Sequence, residues 1–414
     1  MPVATSDGLK PSMLPPYRVL DLTLGVGHLC GKVLADMGAD VIKVEPPDGD
    51  PARRKGLLID GAGSWWHAYN TSKRGITLDL DRVSGRDVFK ALVGGADFVI
   101  ESYTPGMMDR WGLGWRDLSA RQPSLVMTSI TAFGQTGPLA AAPANDLTLM
   151  AMGGFMGETG YPDRGPVRIG VDQGFLHAGA HAAAATLTAH LSRAASGHGR
   201  YVDVSALQAI AEMFDIPVQF WVLEGKAALR MAGARFGRGT VSLALTWACK
   251  DGYVLWRLFA GVQAGMIRKV VKWMDDVGFE HALGSVPWEK VDVFESVQSE
   301  IDGYERELGR FFRSMTKAEL LAASRQRNIM LYPVNTPEDV VREPQMVHRR
   351  FFSPVPGDEG GGPSHPGPFW RASATVTGPV RPAPSLGEHN IEVYCGELGL
   401  SRRDLAALRV EGAI

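Results

Sequence analysis

"VLDLTLGVGHLCGKVLADMGADVIKVE", residues 19–45, opens with a short apolar run, Val19–Leu22. A turn carrying Gly25, Gly27 and Gly31 follows, and Leu29, Val33, Leu34 and Met37 then recur at helical spacing. Gly38 closes that helix and "ADVIKVE" is a second apolar run. Strand, glycine turn, helix and strand make the opening of a βαβ unit. In dinucleotide-binding folds such a turn meets a pyrophosphate, and an acidic residue about twenty positions on holds a ribose, where Glu45 stands here. The fingerprint is incomplete. His28, Leu29 and Cys30 separate the second and third glycines, and Pro46-Pro47 follows Glu45. The turn alone therefore reads more readily as a tight connection than as a nicotinamide site.

The alternation continues through residue 130. Ser84 precedes the helical "GRDVFKALV", which leads to the strand "FVIES", and "SLVMTSI" is a fourth strand at Ser124–Ile130. Strands that alternate with helices predict an α/β fold with a doubly wound parallel sheet and ligands at the carboxyl ends of its strands. A long alanine-rich helix is expected from about Gln173 to Ala194, then a strand at "GRYVDVS". Further on, "TWACKDGYVLWRLF" has the pattern of a hairpin turning at Asp251-Gly252. With helices around 262–276 and 298–327 it predicts a smaller α+β domain. "DEGGGPSHPGP", residues 358–368, is a loop by composition.

The 414 residues exceed one ordinary core, and 45% hydrophobic with 21% charged residues is an ordinary soluble composition. A net charge of −2 gives no bulk reason to expect nucleic acid or an anionic membrane as partner. Cys30, Cys249 and Cys395 form no CxxC pair or disulfide framework, which suits a reducing, cytoplasmic location. "MPVATSDGLKPSMLPPY" lacks the apolar core of a secretion signal, and "FLHAGAHAAAATLTAHL", interrupted by three histidines, falls short of a membrane span.

Local signals for chemistry are sparse. His177 and His181 lie one helical turn apart, but with no third ligand in view they read as packing residues, and no metal site is expected. Neither a GxSxG elbow nor a phosphate loop of the GxxxxGK[ST] type occurs. Asp172, in "RIGVDQGFLHAGAH", directly precedes the long helix. Aspartate there is a favoured N-cap, and the same free amides would keep a reactive carboxylate ionised. Both roles stay open at this point of the chain.

Longer motifs resolve the choice. "RVLDLT", "LADMGADVIKVEPPDGDPAR", "NTSKRGITLDL", "ADFVIESYTPGMMDRWGLGW", "PSLVMTSITAFGQTGP", "NDLTLMAMGGFMGETG", "GHGRYVDVS" and "RPAPSLGEHN" occur in this order along the chain. Together they resemble the family III (CaiB/BaiF) CoA-transferases, the group that includes formyl-CoA transferase, carnitine CoA-transferase and α-methylacyl-CoA racemase. The resemblance implies a Rossmann-like large domain built from both chain ends: 1–205, a linker at 206–240, a small domain at 241–330, and a return segment at 331–414. It implies an interlocked dimer with each active site between the large domain of one subunit and the small domain of the other. A homodimer or a heteromer with a related subunit would serve.

The resemblance further makes Asp172 the catalytic nucleophile, acylated and then converted to an aspartyl-CoA thioester. Coenzyme A enters as co-substrate, with no permanently bound cofactor. The implied CoA contacts are Val26 and Gly27; Asn70, Thr71, Ser72 and Lys73; Ser102, Tyr103 and Arg110; and Thr131, Ala132 and Phe133. Pro46 stands where some members have an arginine, so Arg53 or Arg54 is the substitute cation. Arg235 and Arg238 in "MAGARFGRGTVS" are candidates to hold a substrate carboxylate or to be solvated. Asn145-Asp146 replaces the His-Asp pair of the racemases, and asparagine carries no transferable proton at neutral pH, so transfer is favoured over racemisation or epimerisation. The implied donor is an acyl-CoA such as succinyl-CoA. The implied acceptor is a bulky, aromatic or dicarboxylic acid such as benzylsuccinate, with benzylsuccinate-type, short dicarboxylic and carnitine-like acids all open and Trp65 and Trp66 as candidate apolar wall or packing residues.

Overall fold

A computed structural model describes residues 12–14, 17–213, 215–225, 230, 235–238, 241–356 and 365–414. Most of the N-terminal segment, residues 231–234 and 239–240 of "MAGARFGRGTVS" and residues 358–364 of the glycine-rich loop lie outside the described residues. The chain divides into two compact units: Met1–Gly153 with Gly170–Phe214 and Pro344–Ile414, and Gly154–Ile169 with Asp215–Glu343.

The first unit is built on six strands: β1 (Arg18–Leu22), β2 (Asp40–Glu45), β3 (Arg74–Thr77), β4 (Phe98–Glu101), β5 (Val126–Thr131) and β6 (Tyr201–Ser205). They pair in the order β3-β2-β1-β4-β5-β6, parallel throughout. Every residue of β3, β4 and β5 is buried, as expected of parallel strands covered on both faces. The intervening helices include α1 (His28–Asp36), α2 (Ser64–Tyr69), α3 (Val83–Val93), α4 (Trp115–Arg121), α5 (Asp146–Met152), α6 (Gly174–Ser196) and α7 (Ala206–Met213). The order reverses between β1 and β4, and the crevice above that switch point is where open α/β sheets bind ligands. The doubly wound fold is as the sequence predicts.

Helix α6 buries Ala178, Ala182, Ala183 and Ala189, whose small side chains allow close packing on α1 and β5. Thr186 hydrogen-bonds Thr128 of β5 at 2.7 Å between hydroxyls. Near its C-terminus, Arg193 donates to the carbonyls of Asp97 (3.2 Å) and Ser124 (3.1 Å), pinning the helix to two strand entrances.

The edge strand β3 is covered by the return segment. Asn390 accepts from the Thr77 amide (2.9 Å) and donates to its hydroxyl (2.8 Å), and the Tyr394 hydroxyl donates to the Thr77 carbonyl at 2.7 Å. Arg74 pairs with Asp40, Glu392 and Glu397, and Val393, Tyr394 and Leu405 join the core beneath.

The second unit has its own core, containing Trp247, Trp256, Trp273, Trp288, Phe311 and Phe312. Its sheet pairs β7 (Thr246–Cys249), β8 (Gly252–Leu255) and β9 (Tyr332–Pro333), against helices α8 (Ala264–Asp276), α9 (Gln298–Arg313) and α10 (Lys317–Gln326). Cys249 pairs with Gly252, so the hairpin turns at Lys250-Asp251, one residue earlier than expected.

The expected boundaries need correction. Residues 206–224 are helical, as the sequence suggests, but the units divide inside this stretch and not around it: α7 packs on α6 within the first unit, and the helix Asp215–Glu224 belongs to the second. Tyr332 pairs with Leu255, so the chain leaves the second unit at 344, not at 331. Residues 154–169 also belong to the second unit, a division no composition change marks. Among the described residues, no helix is long and apolar enough to cross a membrane.

Candidate active site

The β1–α1 turn is shaped for close approach. Gly27 caps α1 with φ +80°, and a Cβ there would press within 3.2 Å of the Thr23 methyl. One turn later, a Cβ on Gly31 would fall 2.2 Å from the Asp21 carboxylate, so glycine leaves room for a charge network under the turn.

In that network, Lys73 donates to Asp21 (2.8 Å), to Asn70 Oδ1 (2.9 Å) and to the His28 carbonyl (3.2 Å). Asp50 accepts from the Gly25 amide (3.0 Å) and meets His28 Nε2 at 2.9 Å and Lys43 at 3.1 Å. Glu45 is fully buried, held by Arg53 through paired bonds of 2.7 and 2.8 Å and by the Asp50 amide. Burial pushes the Asp21 carboxyl up, but Lys73, Lys43 and His28 prevail and hold it at about 2. Asp50 is likewise driven well below the carboxylate range: Lys43 and His28 outweigh its burial. Three lysine and arginine cations thus balance three carboxylates beneath the turn. Glu45, committed to Arg53, is not presented to a ribose.

Above the turn lies a cavity of about 430 Å³. Val26 and Gly27 after β1, Ser102 and Tyr103 after β4, and Thr131 and Ala132 after β5 line it, as does Asp172. Ser102 fixes the turn by accepting from the Leu24 amide at 2.8 Å. Behind it, burial pushes Glu101 up to about 7.

The other residues named from the resemblance sit elsewhere. Asn70, Thr71, Ser72 and Lys73 are buried and do not line the cavity. Besides the Lys73 contacts, Lys32 donates to Thr71 (2.8 Å) and Ser72 to Asp36 (3.0 Å). Arg110 is exposed beside Met107, and Phe133 is half-buried off the cavity wall. Arg53 is used by Glu45, the Pro384 carbonyl and the Trp66 face, leaving exposed Arg54 as the alternative cation. Arg235 is tied to Glu305 (3.0 Å) and Ser242 inside the second unit, and the side chain of Arg238 lies outside the described residues. His181 pairs with Glu212 at 3.1 Å, and no group of metal-binding residues occurs among the described residues.

Helix α6 begins with Gln173 as N-cap, without a side-chain cap of its own. The amides of Gln173 and Gly174 donate instead to Asp146 Oδ1, at 2.6 and 2.7 Å. Asp172 is therefore not the cap; Asp146, the first residue of α5, does that work from 27 positions away. Asn145, at the position of the racemase histidine, closes a capping box with Thr148 at the start of α5.

Asp172 turns instead toward Lys55, with Oδ2 and Nζ 2.5 Å apart. Lys55 Nζ also lies 3.8 Å above the centre of the Trp65 ring, which packs on Tyr69 at 4.6 Å. Burial and then the Asp172 charge raise the Tyr69 phenol, favouring its neutral, proton-donating form. Trp65, Tyr69, Phe175 and Leu176 give this end of the cavity an apolar wall. Trp66 faces the other way, 1% exposed and donating to the Pro384 carbonyl, as a packing residue. Lys55, Tyr69 and Phe175 escaped sequence reasoning. Lys55 stands 117 positions from Asp172 with no motif joining them.

Comparison with known proteins fits this geometry. The family model described as CoA-transferase family III matches residues 14–390. A relative from Thauera aromatica, succinyl-CoA:(R)-benzylsuccinate CoA-transferase subunit BbsE, is 36% identical over 92% of this chain and 93% of its own. Succinyl-CoA–D-citramalate CoA-transferase of Chloroflexus aurantiacus is 30% identical over 98% of each chain. Among solved structures, a CAIB/BAIF family protein from Brucella suis superposes with a TM-score of 0.80 at 27% identity, covering 94% of this chain and all of its own.

Proposed function

The chain belongs to CoA-transferase family III, and from that premise we propose that it moves CoA from succinyl-CoA to a second carboxylic acid through acyl intermediates on Asp172. The observation that carries this is the Asp172 carboxylate, set on the cavity wall at the start of α6 while Asp146 takes the helix amides. A carboxylate that lines the cavity in this way is placed to attack a thioester bound there.

The chemistry balances without a proton. A carboxylate oxygen of Asp172 attacks the thioester carbonyl, the C–S bond breaks, and its electron pair leaves on the CoA thiolate. The thiolate attacks the aspartyl carbonyl of the resulting anhydride, and the anhydride C–O pair leaves on the free acid. Asp172 now carries CoA as a thioester, and an acceptor carboxylate runs the two steps in reverse. The net reaction exchanges one thioester for another of comparable energy, so no nucleotide is consumed.

Val26, Gly27, Ser102, Tyr103, Thr131 and Ala132 are the proposed CoA contacts on this unit. The donor assignment draws on relatives whose names specify succinyl-CoA with benzylsuccinate, citramalate or glutarate. The aromatic wall of Trp65, Tyr69 and Phe175 supports an acceptor with an apolar or aromatic body. Donor thioesters offered against succinate, glutarate, citramalate and benzylsuccinate, with products read by mass, test the assignment. Succinyl-CoA with benzylsuccinate is expected to give the highest kcat/KM, and no transfer from any succinyl-CoA pairing overturns it.

We further propose that the working form is a dimer, with a second copy or a related subunit. The Thauera relative is named as a subunit, which supports the second option. Light scattering on the chain expressed alone checks this; a monomer with full turnover overturns it.

A further inference from the structure

We propose that Lys55 is the binding residue for the reacting carboxylate: it pairs with Asp172 in the resting enzyme and with the substrate acid once Asp172 is acylated. The proposal rests on Asp172 being the nucleophile, and it adds what that mechanism leaves open, namely where the migrating charge goes.

One negative charge persists through the cycle. It begins on Asp172, passes to the thiolate, and then rests on the released or entering acid. Asp172 is neutral as anhydride or thioester, so a cation serving it alone would be left unpaired in a partly enclosed site. Lys55 has a second support. Its ammonium lies 3.8 Å over the Trp65 ring, a cation–π contact that does not depend on Asp172. The lysine is therefore held in place when its partner loses charge.

Distance then dictates the exchange. An attacking carboxylate oxygen must come within about 3–3.5 Å of the aspartyl carbonyl carbon. Nζ is already 2.5 Å from Oδ2 on that carbon, so an acid able to react comes beside the ammonium. The pair is reachable: Lys55 and Asp172 side chains are 42% and 30% exposed and both line the cavity. Lysine suits a change of partner, being a compact charge with three rotatable donors and no fixed fork to satisfy.

Binding of succinate, measured by calorimetry without CoA, tests this. Asp172→Asn removes the competing charge as acylation does and keeps the side-chain volume. It is expected to bind succinate about tenfold more tightly than the native protein, the scale of one hydrogen-bonded charge pair. Adding Lys55→Gln should abolish that gain while the thermal unfolding midpoint stays at that of Asp172→Asn. In turnover, Lys55→Gln alone should raise KM for the acid about tenfold with little change in KM for the thioester, and Lys55→Arg should restore part of it. Equal succinate affinity in native and Asp172→Asn proteins, or a double variant that binds as tightly as Asp172→Asn, overturns the proposal. Failure of the nucleophile assignment is read separately, from whether the native protein given donor alone carries CoA on Asp172.

Discussion

Asp172→Asn is expected to abolish CoA transfer while leaving the fold intact. Because Asp146, not Asp172, receives the amides that open α6, the substitution removes no helix cap. It does remove the attacking carboxylate and the 2.5 Å pairing with Lys55. That pair is partly exposed, so its loss should change stability little. The rate should fall by three orders of magnitude or more, roughly 4 kcal/mol of barrier at about 1.4 kcal/mol per tenfold. Asp146→Asn is the matched control: asparagine caps about as well as aspartate, so most activity should remain. With donor alone, the native protein should gain a CoA adduct on the peptide holding Asp172, and hydroxylamine should convert that residue to a hydroxamate. An adduct on Asp146, or a folded Asp172→Asn protein with near-native turnover, would sink the assignment.

Lys73→Met should act on stability in the first place. Lys73 is fully buried with three hydrogen-bond partners, and its loss strands the buried carboxylate of Asp21. Breaking such a pair by removing one partner costs about 3–5 kcal/mol. The pH dependence fixes the cause. In the native protein Asp21 titrates at about 2, below its ordinary 3.8, so its contribution is full above about 4 and fades as pH falls toward 2. Without Lys73, only Lys43 and His28 oppose the burial, so the same carboxyl should titrate higher than in the native protein, and the deficit of the variant should shrink as pH falls toward the carboxylate range. Urea unfolding of both proteins between pH 4 and 8 measures this. A variant of native stability whose only defect is weaker thioester binding would return Lys73 to the CoA contacts.

The Lys73 case shows what the sequence makes legible. The βαβ opening could be read from apolar runs of the right length and glycines at the turn, because local spacing determines them. Asp172 could be found because it stands beside a long helix and within an extended resemblance. The run Asn70–Lys73 could be located but not interpreted: the family resemblance implies CoA contacts there, while the packed structure ties Lys73 to Asp21, Ser72 to Asp36 and Thr71 to Lys32. The cap of α6 and the lysine facing Asp172 were out of reach for a related reason. Asp146 reaches the helix from 27 positions away and Lys55 reaches Asp172 from 117, and neither contact leaves a periodic or spaced signature.

The return segment over β3 also imposes a timetable on a chain made from one end. Thr77 and the tyrosine that closes over it are separated by 317 residues. At a ribosomal pace of roughly 5–20 residues per second, the sheet edge at Arg74–Thr77 waits about 15–60 s for Asn390 and Tyr394 to emerge. The tryptophan-rich second unit is complete at Glu343, so it can finish folding while the first, begun earlier, still lacks its covering. Through that interval the nascent first unit presents an unpaired parallel edge, the feature through which strands of separate chains associate. Slower growth temperature or a holding chaperone should therefore raise soluble yield more than any change at the finished protein's surface.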